Sequence, residues 1–194
     1  MKKSLLALIL VSAFSASNAA TVHTTSASFL SALNPGYYTE NFNTTIGGGT
    51  PASGTVFSSG AFSYNMTASV STLYSGSNLF GVFNNTSSLT INFLGGNVNA
   101  VGANFFETNV SDVFLNSSVS ISLSDGTALT FTPTSVSDYR GFIADSGVFL
   151  TSLTMAAGGT GQWESLDNLT VGNVARNDVP EPASIASHCL VSGS

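Results

Sequence analysis

The side chains able to do acid–base, nucleophilic or metal chemistry in this sequence are few and poorly placed for it. His23 and His188 fall in the two flanks, outside the central body, and the single cysteine, Cys189, lies in the tail. Ser-His-Asp, Cys-His and His/Cys zinc arrangements are therefore not available within the body. Lys2 and Lys3 belong to an N-terminal leader, which removes a lysine nucleophile from the mature chain. What survives is a carboxylate pair of the glycosidase kind. It would be drawn from Glu40, Glu107, Asp112, Asp125, Asp138, Asp145, Glu164, Asp167, Asp178 and Glu181, no two of which share a telling motif. These residues point away from catalysis.

Binding chemistry has more to work with. Sugars combine apolar ring faces with many hydroxyls, so a sugar site needs an aromatic platform and neutral hydrogen-bonding groups. Trp163 is the only tryptophan, follows the Gly158-Gly159-Thr160-Gly161 loop and is flanked by Gln162 and Glu164. Tyr37, Tyr38, Tyr74 and Tyr139 are further candidates. Arg140, in Asp138-Tyr139-Arg140-Gly141-Phe142, is the sole cation of the body and could clasp a ligand carboxylate. Each has a plainer reading. Fourteen phenylalanines against one tryptophan and five tyrosines is a core composition, and Trp163 alternates with Ser165 and Asp167 as a half-buried strand residue would. Arg140 is equally suited to pairing with an acid or packing its stem on a sheet. Gly47-Gly48-Gly49 has no following helix or Lys-Ser/Thr and reads as a loop, not a phosphate cradle.

The elements that must position these residues are strands. Leu89, Ile91 and Phe93 alternate with Ser88, Thr90 and Asn92; Val119, Ile121 and Leu123 repeat the pattern; Leu129 and Phe131 do so within 128–132. Segments 148–155 and 166–171 alternate in the same way. Period two with one wet and one dry face means half-buried strands. Asp125-Gly126 joins two such runs and predicts a hairpin, and Asn84-Asn85 and Gly95-Gly96-Asn97 mark other turns. Only Ser26 to Leu33 has helical spacing, ended by Asn34-Pro35-Gly36. Nine to eleven short strands with such close turns predict an all-β fold, an antiparallel β-sandwich of jelly-roll type spanning 21–174.

The ends set the expected compartment. Lys2-Lys3, the apolar run Leu5–Phe14 and the small residues Ser17-Asn18-Ala19-Ala20 form the three parts of a secretory signal peptide over 1–20. The mature chain then begins at Ala20 or Thr21. It keeps two basic residues, Arg140 and Arg176, against ten acids, a net charge of −8. Binding to a nucleic acid or an anionic membrane needs several cations per footprint, which this chain cannot supply. Charged residues make up 7% of the chain, against about a quarter in an average domain. Ser, Thr, Asn and Gly must therefore form the polar surface, as is common in exported β-proteins.

The segment 175–194 is of another kind. Val179-Pro180-Glu181-Pro182-Ala183-Ser184 resembles the start of a PEP-CTERM sorting signal, found in exported proteins of Gram-negative bacteria that make exopolysaccharide. The resemblance implies a sorting enzyme, the exosortase, acting at Val179, Pro180, Glu181 and Pro182. In that family an apolar membrane helix and an Arg-rich cluster follow the motif. Here Ile185 to Ser194 is ten residues long without a basic residue, too short to span a bilayer. The tail therefore reads as truncated, with no stable membrane span.

The body, from Glu40 to Gly172, also resembles the galactose-binding-like jelly roll that such proteins carry. The resemblance rests on Ala100–Phe106, Ser122–Thr127, Tyr139–Ile143 and Leu166–Gly172. In that architecture the first and last strands run side by side and often share a structural calcium. The resemblance thus implies Ca²⁺ held by Glu40 and Asp167, with Asn41 or Asn168 assisting. Alternatively, Glu40 faces solvent and Asp167 bonds neighbouring loop amides. The expected function is that of an exported, non-enzymatic envelope or matrix protein associated with extracellular polysaccharide. A lectin-like module with a discrete site at Trp163, or a secreted glycoside hydrolase or lyase, are the alternatives.

Overall fold

The computed structural model describes residues 19–43, 49–70, 72–76 and 78–174. The motif at 179–182 and all but the last two residues of the expected leader lie outside them. The described residues fold as an antiparallel β-sandwich of jelly-roll type, with one short helix among them.

In chain order the elements are β1 (Thr21–His23), α1 (Ser26–Leu30), β2 (Tyr38–Glu40), β3 (Thr55–Ser59), β4 (Phe62–Ala68), β5 (Leu73–Gly76), β6 (Leu79–Val82) and β7 (Leu89–Phe93). There follow β8 (Ala100–Thr108), β9 (Phe114–Leu115), β10 (Val119–Leu123), β11 (Ala128–Phe131), β12 (Tyr139–Ile143), β13 (Ser152–Met155) and β14 (Trp163–Gly172). The first sheet runs β1-β12-β8-β14-β6-β5, with β2 also beside β14 and β9 beside β8; the second runs β11-β10-β13-β7-β4-β3. The strands beyond the expected nine to eleven are pieces such as β1, β2 and β9, two or three residues long and too short to show a period.

The alternating runs fall where their period puts them. Leu89, Ile91 and Phe93 point into the sandwich from β7, and Val119, Ile121 and Leu123 from β10. The Asp125-Gly126 hairpin pairs β10 with β11, closed by Thr127 N–H donating to Asp125 Oδ1 at 2.8 Å while Gly126 takes φ 93°. The facing sheet supplies Phe80, Val101, Phe105, Phe142, Leu166 and Val171. Burying so many large apolar side chains between two sheets is the main stabilising term of the fold. Residues 148–151 depart from the expected alternation. The strand there is confined to β13, and Leu150 reaches the core from an irregular segment whose N–H bonds Val98 O at 2.8 Å.

Two further departures matter for the site. Segment 166–171 does not alternate without a break. A β-bulge falls at Asn168, in the left-handed region at φ 52°, so β14 faces β6 before it and β2 after it. Leu166 therefore points inward, and so do Leu169 and Val171 beyond the bulge.

His23 is not outside the body either, because its strand β1 pairs with β12 opposite Gly141. Behind β1, α1 is capped by Thr25, whose hydroxyl accepts from Ser28 N–H. Phe29 of that helix is fully buried against Ala100 and Tyr139 on the outer face of the first sheet. Ala20, assigned to the leader by the sequence, is buried too, and its N–H donates to Thr127 Oγ1 at 2.7 Å.

Candidate functional site

The outer face of the first sheet carries a cleft of about 210 Å³ lined by Tyr74, Val82, Phe83, Thr108, Asn109, Val110, Asp112, Trp163 and Ser165. Strand register brings these together. Tyr74 of β5 lies opposite Gly81 of β6, Gly81 opposite Ser165 of β14, and Trp163 opposite Thr108 of β8. Gly81 keeps this floor low, since a Cβ there would strike the Glu164 carbonyl.

The aromatic groups are fixed by hydrogen bonds. Trp163 Nε1 donates to Phe83 O at 3.2 Å, and Tyr74 Oη donates to Asp112 Oδ2 at 2.6 Å. That second bond also raises the Tyr74 hydroxyl above its ordinary pKa, because the neutral phenol is the donor. Asn109 Oδ1 accepts from Ser111 and Val113 N–H, which folds the 109–113 loop into one wall. Phe83 is 54% and Val110 80% exposed, so the rim offers apolar surface to solvent. Between them, Thr108 and Ser165 hydroxyls, 3.3 Å apart, supply neutral polar groups. Aromatic faces beside hydroxyl, amide and carboxylate oxygens suit a small, hydroxyl-rich ligand.

Of the residues singled out from sequence, Trp163 lies in this cleft and Tyr74 faces it. Tyr139 does not: its ring is buried against Phe29, and burial raises its pKa. Nor does Arg140, whose guanidinium lies 4.2 Å from the Phe131 ring centroid and donates to Tyr139 O at 2.7 Å. The stacked, sheet-packed reading of that arginine is the one the geometry takes. Phe83, Thr108 and Asn109 were not singled out from the sequence, and Asp112 stood there only as one of the ten acids.

The expected calcium ligands are not brought together. The strand that carries Glu40, β2, does lie beside the last strand, β14, with Glu40 opposite Leu169. But Glu40 is buried on the inner face, where its oxygens accept from Tyr38 Oη at 2.8 Å and Phe42 N–H at 3.0 Å. Asp167 and Asn168 sit on the outer side of the bulge. Asp167 accepts from the N–H of Asn168 at 2.7 Å and from its Nδ2 at 2.9 Å, and that Nδ2 also reaches Asn104 Oδ1. The two carboxylates leave opposite faces of one sheet because the bulge residue lies between Asp167 and the strand segment beside β2.

The carboxylates that do meet are Glu107 and Glu164, directly opposite on β8 and β14 and each 1% exposed. They share the inner-face parity of their neighbours Phe105 and Leu166, so the sheet separates them from the cleft. Glu107 Oε2 accepts from Ser117 Oγ at 2.6 Å, and Glu164 Oε1 accepts from Gly158 N–H. Glu164 Oε2 is buried with no hydrogen-bond partner. Burial, with a contribution from Glu107, pushes the Glu164 carboxyl up to about 7, and burial raises Glu107 as well.

No protein-family profile matches the chain, and no curated protein matches it. Among solved structures it is similar to a variant of CBM29-2, from work on ligand recognition by family 29 carbohydrate-binding modules. The two are 13% identical over 70% of this chain and 97% of that one, with a TM-score of 0.33.

Proposed function

We propose that the protein is an exported, non-enzymatic carbohydrate-binding sandwich that associates with exopolysaccharide at the cell surface or in the extracellular matrix. The observation that carries this reading is the outer-face cleft, in which Trp163, Tyr74 and Phe83 stand beside the oxygens of Thr108, Ser165, Asn109 and Asp112. Its volume is below the range of about 300–1,000 Å³ typical of drug-sized ligands, which favours a single sugar ring of a longer chain. The surplus of acids disfavours an acidic glycan, so the ligand is a neutral polysaccharide. The leader and the Val179-Pro180-Glu181-Pro182 motif support export and handling by a sorting enzyme.

The hydrolase alternative is weaker. Glycoside hydrolysis uses two carboxyl groups flanking the bond. Asp112 is the one carboxylate lining the cleft, and the Glu107–Glu164 pair is shut inside the sandwich.

Affinity electrophoresis of the purified chain through gels containing neutral or acidic polysaccharides tests the reading. Retardation in a neutral polysaccharide, relieved by free sugar, is expected. Unretarded migration in the whole panel overturns carbohydrate binding, and release of reducing ends overturns the non-enzymatic assignment.

A further inference from the structure

Two carboxylates directly opposite each other on neighbouring strands repel, and inside a protein core neither keeps its charge without compensation. Among the described residues the one Lys or Arg cation, Arg140, is engaged at Phe131 and the Tyr139 carbonyl. The Glu107–Glu164 pair therefore has no basic partner, and Glu164 Oε2 is buried without any partner at all.

The loop between β13 and β14 closes over the pair. Gly158 lies so close that a Cβ on it would collide with Glu107 Oε1 and come within 2.8 Å of Gln162 Oε1. The Gln162 amide oxygen and the Glu107 carboxylate thus lie beside the same point of the loop, and both are acceptors. Ser117 Oγ adds a further oxygen beside Glu107 Oε2. Its hydroxyl donates to Glu107, and the N–H groups of Gly158 and of Glu164 itself donate to the Glu164 carboxylate, which still leaves Glu164 Oε2 unmatched. Oxygens crowded around one point with too few donors are matched by a cation.

We propose that Glu107 and Glu164, with Gln162 Oε1 and Ser117 Oγ, form a divalent-cation site that binds Ca²⁺ and ties the 156–162 loop to the two central strands. The ligand set is all oxygen, with two carboxylates to balance the charge and neutral oxygens to fill the sphere, which suits calcium and offers nothing soft. The glycines of the loop let its backbone approach the carboxylates closely. The site is independent of the outer-face cleft and does not require that the cleft bind sugar.

Terbium luminescence and thermal unfolding of the full chain test it. Trp163 adjoins Glu164, so a Tb³⁺ ion in the site is excited through the indole. Sensitised emission is expected to saturate at one ion per chain and to be displaced by Ca²⁺. Removing metal with EDTA is expected to lower Tm by about 5 °C or more, and Ca²⁺ to restore it. Glu164→Gln is expected to abolish both responses. The neutral double variant Glu107→Gln/Glu164→Gln removes the repulsion, so it should fold and should ignore EDTA and Ca²⁺. A wild-type Tm unmoved by EDTA and by millimolar Ca²⁺, without sensitised emission, overturns the proposal. An unchanged calcium response in the double variant also overturns it.

Discussion

Trp163 and Glu164 are consecutive residues of β14 that leave the sheet on opposite faces. The indole lines the outer cleft, while the carboxylate enters the sandwich beside Glu107. A strand imposes this by its period of two, so one segment serves two chemically separate places. Losses at one face therefore need not report on the other, and the variants below are chosen accordingly.

The cleft is best probed at its exposed rim. Phe83 is 54% exposed, so Phe83→Ala removes platform area with little effect on the core. It is expected to weaken polysaccharide binding about tenfold or more, on the order of 1.4 kcal/mol, with Tm changed by less than about 2 °C. Trp163 also packs against the core, so Trp163→Ala is expected to lower both affinity and Tm. Titration calorimetry alongside thermal unfolding separates the two effects. Unaltered affinity in Phe83→Ala would remove that residue from the platform.

The N-terminal segment is locked to the first sheet by a glycine. A Cβ on Gly141 would collide with the Phe29 ring. Gly141→Ala is expected to cost about 1–3 kcal/mol through overpacking, and Phe29→Ala about 3–5 kcal/mol through the cavity left behind. The double variant should cost less than the sum, since truncating Phe29 frees the space that the methyl group added at position 141 needs. Denaturant unfolding of the four proteins gives the coupling. Strict additivity would mean that the helix does not press on β12.

How much of this was legible depends on whether the information is local. Leu89, Ile91 and Phe93 could be assigned to an inner face from spacing alone, and Asp125-Gly126 announced its hairpin, because both signals span a few residues. The cleft could not be read in the same way. Trp163 stood out by being unique, but Phe83, Thr108 and Asp112 reach it through strand register, which no short window contains. The same holds for Glu107 and Glu164, opposite each other although far apart in sequence. One local clue was present: Glu107 has the parity of Val101, Ala103 and Phe105, so a charge was placed on a dry face. The calcium pair implied by resemblance met a different obstacle. Leu166 and Leu169 are three apart, an odd spacing that signals the bulge separating Asp167 from Glu40.

That bulge supplies the third test. Asn168 takes φ 52° and donates through Nδ2 to Asn104 Oδ1 at 3.0 Å, and Asn104 Nδ2 in turn donates to Ser137 O at 2.8 Å. Asn168→Gly keeps the backbone accessible and is expected to cost about 1 kcal/mol for the lost hydrogen bond. Asn168→Val forces a β-branched residue into the left-handed region and should cost about 1–3 kcal/mol more. Deleting Asn168 would turn Leu169 and Val171 outward, so no cooperative unfolding transition is expected. A deletion variant with a wild-type melting curve would show that the register can slip without penalty.

The buried pair also predicts a pH dependence for the metal-free protein. The Glu164 carboxyl is held up to about 7 in the folded state by burial and by Glu107, above its ordinary value of 4.5. The folded state therefore takes up a proton at Glu164 more readily than the unfolded chain does. By linkage, the resulting stabilisation is fully present below about pH 4.5 and is lost as pH rises through about 7. Asp138, held below its ordinary value by the Thr134 N–H, acts in the opposite sense, but only at pH values below that window. In EDTA, Tm is thus expected to fall between about pH 5 and pH 8; Glu107 and Asp167, also raised by burial, act in the same sense, so Glu164→Gln should make the fall smaller because the amide carries no charge at either pH. A flat wild-type profile in chelator would mean that Glu164 is solvated and ionised in the folded state, and that its carboxylate is not confined with that of Glu107.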